Sequence, residues 1–395
     1  MRALDKPRAR TIRHTPRRSD RADDHLTGRT CGVPAHADAR CDRARRWWLR
    51  LDRKALNRVR TLIVGGGAIG QFFAARLAQA AQDVVVLARP REAEALNAQG
   101  VSLICGGREL TFRVSAAASN SDPLLDGSFE LVVVAVKAYS TGEAGALIAG
   151  LESCRAASVL TVQNGVGNEE ELSKALGADR IVAGALTVAV DRVDTTVVAA
   201  TARGGLCLAP MGGGSHNWLI AALSAGGLVV QASSGWRSLK WSKLCINILG
   251  NAVCAALDWM PSQVYADPAA FAFERACLLE TLAVMTTLGI RPMNLIDYPA
   301  AVLARAVKVL PPPVLRMTLS GRVSRARGDK LPSLLADLRA RRPRSEVTAL
   351  NGAVASHALS AGATAPSNER ISSVVAGIAS GRLRWDDYRG KPQAL

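Results

Sequence analysis

The feature that most restricts the fold of this chain is a glycine-rich turn enclosed between a buried strand and a helix. Gly65, Gly67 and Gly70 follow the apolar run 61–64 in the order G-x-G-x-x-G, and apolar residues then recur at helical spacing over 69–80. In this setting the glycines make a tight turn, admit a pyrophosphate and let the helix pack on the strand. The pattern favours a dinucleotide site over a glycine-rich turn of another α/β protein. The residues predicted to contact the cofactor there are Gly65, Gly67, Ala68, Ile69 and Gly70.

Strands and helices alternate after this turn, and the predicted strands are continuous runs of Val, Ile and Leu. This pattern indicates a parallel sheet covered on both faces. Shorter Val, Thr and Ala stretches over 187–209 predict antiparallel strands that close the first domain. From 236 onward the spacing predicts helices, which include 241–257, 268–289, 299–310 and 346–362.

These elements predict an α/β fold with more than one domain. A chain of 395 residues exceeds the usual size of a single hydrophobic core. We expect an N-terminal Rossmann-like dinucleotide-binding domain at 59–235 and a C-terminal all-helical domain at 236–395, which would carry the substrate and catalytic residues. Residues 1–58 have no sustained apolar period, and we expect a basic, disordered extension there.

The positive charge of the chain is concentrated in that extension. The net charge is +17, and residues 1–60 hold 18 Lys and Arg against 7 Asp and Glu, a net of +11. A basic arm can bind nucleic acid, but a solvated extension explains the same composition, so no nucleic-acid partner is expected.

The other partners and the location are predicted from what the sequence lacks. Eight cysteines without paired spacing suggest reduced thiols and no metal site. The absence of a signal peptide and of a long apolar span predicts a cytoplasmic protein without a membrane partner. We expect a monomer or homodimer that binds a small 2-oxo acid.

Two basic residues follow predicted strands at the edge where ligands bind. An NAD site usually places an acidic residue after the second strand, but Arg89 stands there, and a guanidinium suits the 2′-phosphate of NADP. Lys137 follows the strand 131–136 and is the second candidate cofactor contact. A solvated loop arginine and a lysine extending from a strand end are the alternatives.

A polar stripe crosses the otherwise apolar predicted helix 241–257. Lys240, Lys243, Asn247 and Asn251 are spaced by three and four residues, which places them on one helical face. Burying such groups without partners is costly, so the stripe either lines a polar cavity or faces water. A desolvated lysine can have its pKa lowered and give a proton to the alkoxide formed when hydride reaches a carbonyl.

Together these residues resemble the ketopantoate reductase (2-dehydropantoate 2-reductase) family from about 60 to 388. The resemblance also includes Val136-Lys137-Ala138-Tyr139, Gln163-Asn164-Gly165-Val166-Gly167, Ser333 with Asp337, Glu346, and Asn351-Gly352.

The resemblance implies a reaction and roles for individual residues. The reaction is NADPH-dependent reduction of 2-dehydropantoate to pantoate, for pantothenate and coenzyme A synthesis. Lys243 is the implied general acid, and Glu346 the implied carboxylate that orients the substrate. The implied substrate contacts are Asn164, Asn247, Asn251 and Ser333, with Asn164 and Lys137 also close to the NADP.

This chain departs from the family pattern near the substrate end. Leu334 replaces the usual Met, one residue is inserted before Glu346, and Ala252 and Cys254 replace Pro and Thr after Asn251. A related lysine-dependent NADP oxidoreductase acting on another 2-oxo acid is therefore one alternative. A non-catalytic dinucleotide-binding regulator is the alternative from a different class.

Overall fold

The computed structural model describes residues 58–213, 216–327 and 331–395, with side chains described outside 322–327. The disorder predicted for 1–58 falls, except for Arg58, outside the described residues. In the described part of the chain, twelve strands form two sheets. The strands are β1 (Arg60–Val64), β2 (Asp83–Leu87), β3 (Val101–Cys105), β4 (Arg108–Phe112), β5 (Ser115–Ala117), β6 (Leu131–Val134), β7 (Ser158–Thr161), β8 (Ile181–Leu186), β9 (Val190–Arg192), β10 (Val197–Ala200), β11 (Leu206–Pro210) and β12 (Val230–Ala232).

The larger sheet has the order β12-β11-β8-β7-β6-β1-β2-β5. Within this order, the six neighbouring strands β8, β7, β6, β1, β2 and β5 are all parallel to one another. The strand β11 pairs antiparallel with β8. The strand order reverses at β1, because β2 and β5 lie on one side of it and β6, β7 and β8 on the other. In doubly wound sheets the ligand crevice lies at the carboxyl ends of the strands beside such a reversal.

The central strands are apolar throughout because both faces of the sheet are covered. Along β1, Ile63 packs into one hydrophobic cluster, while Leu62 and Val64 pack into another. All three side chains are buried. The continuous apolar runs of the sequence therefore correspond to a sheet packed on two sides, as predicted.

The smaller sheet, in the order β4-β3-β10-β9, is not indicated by the sequence pattern. Antiparallel pairing within 187–209 is predicted, and it occurs between β10 and β9. However, β10 also pairs in parallel with β3, so the region 190–200 joins the 101–112 hairpin in a separate sheet instead of closing the larger one. Only β11 and β12 extend the larger sheet.

The helices form two groups along the chain. Those among the strands are α1 (Ala68–Gln79), α2 (Pro90–Gln99), α3 (Thr141–Gly150), α4 (Asn168–Leu176) and α5 (Asn217–Ala225). Those after the last strand are α6 (Trp236–Ile248), α7 (Ala252–Leu257), α8 (Pro261–Ala266), α9 (Pro268–Thr287), α10 (Ala300–Val309), α11 (Pro312–Arg327), α12 (Ser333–Arg339), α13 (Asn351–Ser360) and α14 (Pro366–Ala379). The predicted α/β class, with a Rossmann-like N-terminal part and a helical C-terminal part, is confirmed.

Two predicted helices are interrupted. The predicted helix 241–257 is wrong as a single element, because α6 ends at Ile248 and α7 begins at Ala252. Gly250 between them has a left-handed φ of +56°, and its N–H donates to the buried carboxylate of Glu274 at 2.7 Å. The predicted helix 346–362 is likewise divided into a 3₁₀ turn at Glu346–Ala349 and α13.

The second group of helices has its own hydrophobic core. Side chains of α6, α7, α9, α13 and α14 are buried in one cluster, which includes Leu244, Val253, Leu278, Val354 and Ile371. Within the described residues, no helix is both long enough and apolar enough to span a membrane.

Candidate functional site

The glycine turn has the backbone geometry that a bound pyrophosphate requires. Gly65 has φ +118°, and a Cβ there would lie 3.0 Å from the Ala135 carbonyl carbon, so the turn approaches the end of β6. A Cβ on Gly70 would lie 1.8 Å from the Gly65 carbonyl oxygen, so only glycine lets α1 pack this closely. A Cβ on Gly67 would meet nothing within 4 Å, so the turn leaves open space beside the first residues of α1, Ala68 and Ile69. The turn therefore fits a dinucleotide phosphate at a helix N-terminus.

Arg89 lies at the expected edge of the sheet, directly before α2. Its side chain is 80% exposed and forms two hydrogen bonds with the carboxylate of Glu92, one of them 3.1 Å long at Nε. Glu92 is buried and lies close to the glycine turn, because a Cβ on Gly66 would be 3.8 Å from the Glu92 Cβ. The arginine therefore lies within reach of the turn, with an acidic residue beside it.

Lys137 joins the end of β6 to the helical part of the chain. Its Nζ lies 2.6 Å from Glu346 Oε2 and 3.3 Å from Asp337 Oδ2. Burial lowers the pKa of Lys137, but the two carboxylates outweigh that effect and raise the pKa above 10.5. The ammonium thus remains charged, and two residues predicted for different roles, Lys137 and Glu346, meet in one cluster. Asp337 is not among the predicted site residues, although the spacing of Ser333 and Asp337 identifies it as part of the family pattern.

Asn164 follows β7 and contacts the helix that carries Lys243. The Asn247 side-chain amide donates to Asn164 Oδ1 at 3.2 Å. The next residue, Gly165, has φ +89°, and a Cβ there would lie 2.2 Å from the Ala349 carbonyl oxygen. This close approach seats the Asn164 turn against the 3₁₀ turn that begins with Glu346.

Asn251 lies outside α6 and is buried. Its amide donates to the Asn247 carbonyl oxygen at 3.1 Å, and its Oδ1 accepts from the Ser333 hydroxyl at 3.5 Å and from the Leu334 N–H at 3.2 Å. The structure therefore brings Ser333, the first residue of α12, to Asn251 at the break between α6 and α7. These contacts are those of a brace, and contact of either residue with substrate remains a prediction.

Lys243 is half-buried on α6, one helical turn before Asn247. Its Nζ lies 5.7 Å from the centre of the Tyr298 ring. Burial raises the pKa of the nearby Cys207 thiol, and a backbone contact with Ile296 and the charge of Lys243 act in the opposite direction. Lys243 is therefore held against the sheet at β11 rather than extended away from the protein.

Lys240, the first residue of the polar stripe, is a buried anchor. Its Nζ lies 2.6 Å from the Gln163 carbonyl oxygen, 3.4 Å from that of Gly184 and 3.0 Å from Glu169 Oε1. Burial raises the pKa of Glu169, and the charge of Lys240 opposes that shift. The ion pair fixes α6 against the segment that carries Asn164. The sequence contains both residues, but no local pattern pairs them.

The predicted site residues thus divide into connected groups. The glycine turn and Arg89 lie around the carboxyl ends of β1 and β2, and Lys137 and Asn164 follow β6 and β7. Hydrogen bonds and ion pairs then connect Lys137 to Glu346, and Asn164 to Asn247. Such an arrangement can hold a dinucleotide along the sheet edge and present amides, a carboxylate and ammonium groups to a polar ligand beside it.

The fold and this site define a class: a dinucleotide-binding protein with a Rossmann-like sheet and a helical second part. Residues 61–213 match the family model described as ketopantoate reductase PanE/ApbA, and residues 235–379 match the model for its C-terminal part. The chain belongs to the ketopantoate reductase family, a family of oxidoreductases.

Individual relatives agree with this assignment. A 2-dehydropantoate 2-reductase of Archaeoglobus fulgidus is 26% identical over 325 residues, which cover 82% of this chain and 98% of that protein. One of Halobacterium salinarum is 28% identical over 204 residues, 51% of this chain and 66% of that one, slightly under two thirds of its length. A PanE/ApbA family ketopantoate reductase structure from Ralstonia eutropha has a TM-score of 0.69 at 25% identity, covering 82% of this chain and 99% of that one.

Proposed function

We propose that this protein reduces 2-dehydropantoate to pantoate with NADPH, a step in the synthesis of pantothenate and coenzyme A. The observation that carries the proposal is a set of contacts close to the dinucleotide turn. They connect residues at the carboxyl edge of the sheet with residues of the helical part. The Lys137 to Glu346 ion pair of 2.6 Å and the Asn164 to Asn247 hydrogen bond of 3.2 Å both make this connection. Family membership and the named relatives support the substrate.

When bound, NADPH supplies the hydride for the carbonyl carbon of the oxo acid. The protein must then supply a proton to the oxygen on which negative charge develops. Lys243 is proposed as that general acid, since a positioned lysine can protonate an alkoxide. Its half-buried location beside Tyr298 keeps the charged group close to the sheet.

The remaining residues are proposed to bind and orient. Asn164 and Asn247 already contact each other, and their amides can exchange that bond for hydrogen bonds to substrate oxygens. Glu346 and Ser333 are proposed to orient the substrate, with Asn251 bracing Ser333. Lys137 is proposed to lie close to the cofactor, and its pairing with Glu346 would hold that carboxylate in place.

The proposed preference for NADPH rests on Arg89. A guanidinium can bind the 2′-phosphate with two hydrogen bonds, and Arg89 already forms such a pair of bonds with the Glu92 carboxylate. The exposed arginine at the end of β2 therefore has both the chemistry and the location for this contact.

The experiment that tests the proposal measures oxidation of NADPH with 2-dehydropantoate, using NADH and other 2-oxo acids as comparisons. In Lys243→Ala we expect kcat to fall at least about 100-fold, because the proton donor is lost. NADPH affinity should stay within about twofold, because the residue acts on the substrate oxygen and not on the cofactor.

The matched control is Lys308→Ala, which removes an exposed lysine of α10. This variant should retain wild-type turnover. Unchanged turnover in Lys243→Ala would exclude the general-acid assignment. Faster turnover on another oxo acid would redirect the substrate assignment, and nucleotide binding without oxidation of NADPH by any substrate would favour a regulator.

A further inference from the structure

We infer that Arg192 is a second cation of the site for the 2′-phosphate of the cofactor, and that Glu92 competes with that phosphate for both arginines. The inference rests on the proposed function, because it takes NADPH as the bound nucleotide. It concerns two residues outside the glycine motif and outside the end of β2, where specificity is usually sought.

The hairpin that carries Arg192 is fastened to the glycine turn. The buried side chain of Gln71, on α1, donates to the Gly66 carbonyl oxygen at 2.9 Å and to the Thr195 carbonyl oxygen at 2.7 Å. Since Thr195 belongs to the turn between β9 and β10, one amide group connects the smaller sheet with the backbone that faces the pyrophosphate. Arg192, the last residue of β9, is therefore placed beside the nucleotide turn by a fixed contact.

The Arg192 side chain is braced in an orientation that faces Glu92. Its Nε donates to the Asp194 carbonyl oxygen at 3.2 Å and its Nη2 to that of Thr195 at 3.1 Å. Its Nη1 lies 3.6 Å from Glu92 Oε1. A guanidinium held by two backbone carbonyls loses little further freedom when it binds an anion, which favours its use in recognition.

Two guanidiniums thus share one carboxylate. Glu92 contacts Arg89 and Arg192, and its side chain is 11% exposed whereas that of Arg89 is 80% exposed. The three side chains carry a net charge of +1, and the Cβ of Glu92 lies close to Gly66. A 2′-phosphate on the adenosine ribose carries about two negative charges and accepts several hydrogen bonds. The 2′-phosphate could bind both arginines. To do so it must displace Glu92 from Arg89 and lie next to the negative charge of the Glu92 carboxylate.

The charges therefore predict opposite changes in NADPH affinity for substitution of Arg192 and of Glu92. Loss of Arg192 should weaken binding of NADPH and leave NADH nearly unaffected, since NADH lacks the phosphate. Glu92→Gln should tighten binding of NADPH, because the competing negative charge is removed while the side chain keeps its size. If Glu92 instead accepted a hydrogen bond from the ribose 2′-hydroxyl of NADH, Glu92→Gln would weaken the binding of NADH.

The test measures the dissociation constants of NADPH and NADH by calorimetry, on the full chain and without a 2-oxo acid. We expect Arg192→Ala to raise the Kd for NADPH about tenfold and Arg192→Lys about threefold, with the Kd for NADH within about twofold of wild type. Glu92→Gln should lower the Kd for NADPH about threefold. Arg89→Ala provides the reference for loss of a 2′-phosphate contact.

The matched control is Arg108→Ala. Arg108 is exposed on β4, at the opposite edge of the same four-stranded sheet from β9, and its loss changes the net charge equally. Its Kd values should be those of wild type. An equal effect of Arg192→Ala on both nucleotides would show that the residue only supports the hairpin, and an unchanged Kd for NADPH would exclude it from the site. A wild-type protein that binds neither nucleotide would instead overturn the proposed function.

Discussion

Two lysines connect the sheet to the helices, and their surroundings differ. Lys240 is 2% exposed, faces the fully buried Glu169 and also donates to two backbone carbonyl oxygens. Lys137 is 37% exposed and faces Glu346 and Asp337. Both pairs join distant segments, but only the Lys137 pair can reach solvent or a ligand.

The difference in burial separates a structural role from a functional one. An ion pair without access to water cannot exchange partners, and losing one member leaves an uncompensated charge. Glu169 depends strongly on its lysine, since its side chain is fully buried and Lys240 Nζ lies 3.0 Å from its Oε1. The Lys137 pair, in which the lysine is partly exposed, costs less to break, and its ammonium remains available to a bound ligand.

The largest effect is therefore expected at the buried pair. Lys240→Met should lower the free energy of unfolding by about 3–5 kcal/mol, because the buried Glu169 would lose the cation that faces it. Urea denaturation followed by circular dichroism measures this. The control is Lys174→Met, which breaks an exposed ion pair with Glu171 on α4 and should leave the denaturation midpoint unchanged.

A double variant tests whether the ion pair itself is responsible. Lys240→Met combined with Glu169→Leu should recover at least about half of the lost stability, since two apolar side chains can replace a buried pair. If the double variant is no more stable than Lys240→Met, the loss comes from the Gln163 and Gly184 carbonyl contacts of Lys240 instead.

A smaller change in free energy, with a different readout, is expected at Lys137. Lys137→Met should lower the free energy of unfolding by about 1–2 kcal/mol, less than Lys240→Met, because Lys137 is partly exposed although its partner Glu346 is buried. The same substitution should lower kcat/KM with NADPH and 2-dehydropantoate about 10- to 100-fold, since Glu346 loses the charged group that holds it.

Lys308→Met serves as the control for Lys137→Met, with neither property expected to change. The opposite outcome is a Lys137→Met protein that loses as much unfolding free energy as Lys240→Met but retains full kcat/KM. That result would make the Lys137 pair structural, as the Lys240 pair is.

The contrast between these pairs also shows what the sequence can and cannot predict. The strand, glycine turn and helix over 60–79 follow from local patterns, and Gly70 is required by its close approach to the Gly65 carbonyl oxygen within the turn. The partners of Lys137 and Lys240 are not local: Glu346 lies 209 residues after Lys137. Family resemblance identifies Lys137 and Glu346 separately, but only the folded chain joins them.

The break after α6 shows the same limit in a different form. The spacing of Lys243, Asn247 and Asn251 continues a helical period, so the pattern alone predicts one helix. Gly250 ends it in a left-handed conformation, and the contact that supports this, with Glu274, is 24 residues away. Gly250 is the residue in the sequence that indicates the break, whereas its contact with Glu274 is visible only in the folded structure.

The smallest expected effect is the pH dependence of the contribution that Lys137 makes to stability. The neighbouring carboxylates raise the pKa of Lys137 above 10.5, despite the opposing effect of burial. A raised pKa means that the folded protein favours the protonated lysine. Its contribution to stability is then fully present below pH 10.5 and is lost as the pH rises through the higher value.

The difference in unfolding free energy between wild type and Lys137→Met should thus stay level from about pH 7 to about pH 9 and decrease only above the ordinary lysine range. Urea denaturation at a series of pH values measures it. A difference that already decreases between these two values would mean that Lys137 loses its proton near neutrality. Lys137 would then be a titrating group of the site. Any pH dependence of turnover would have to be assigned by comparing the pH profiles of Lys137→Met and Lys243→Ala.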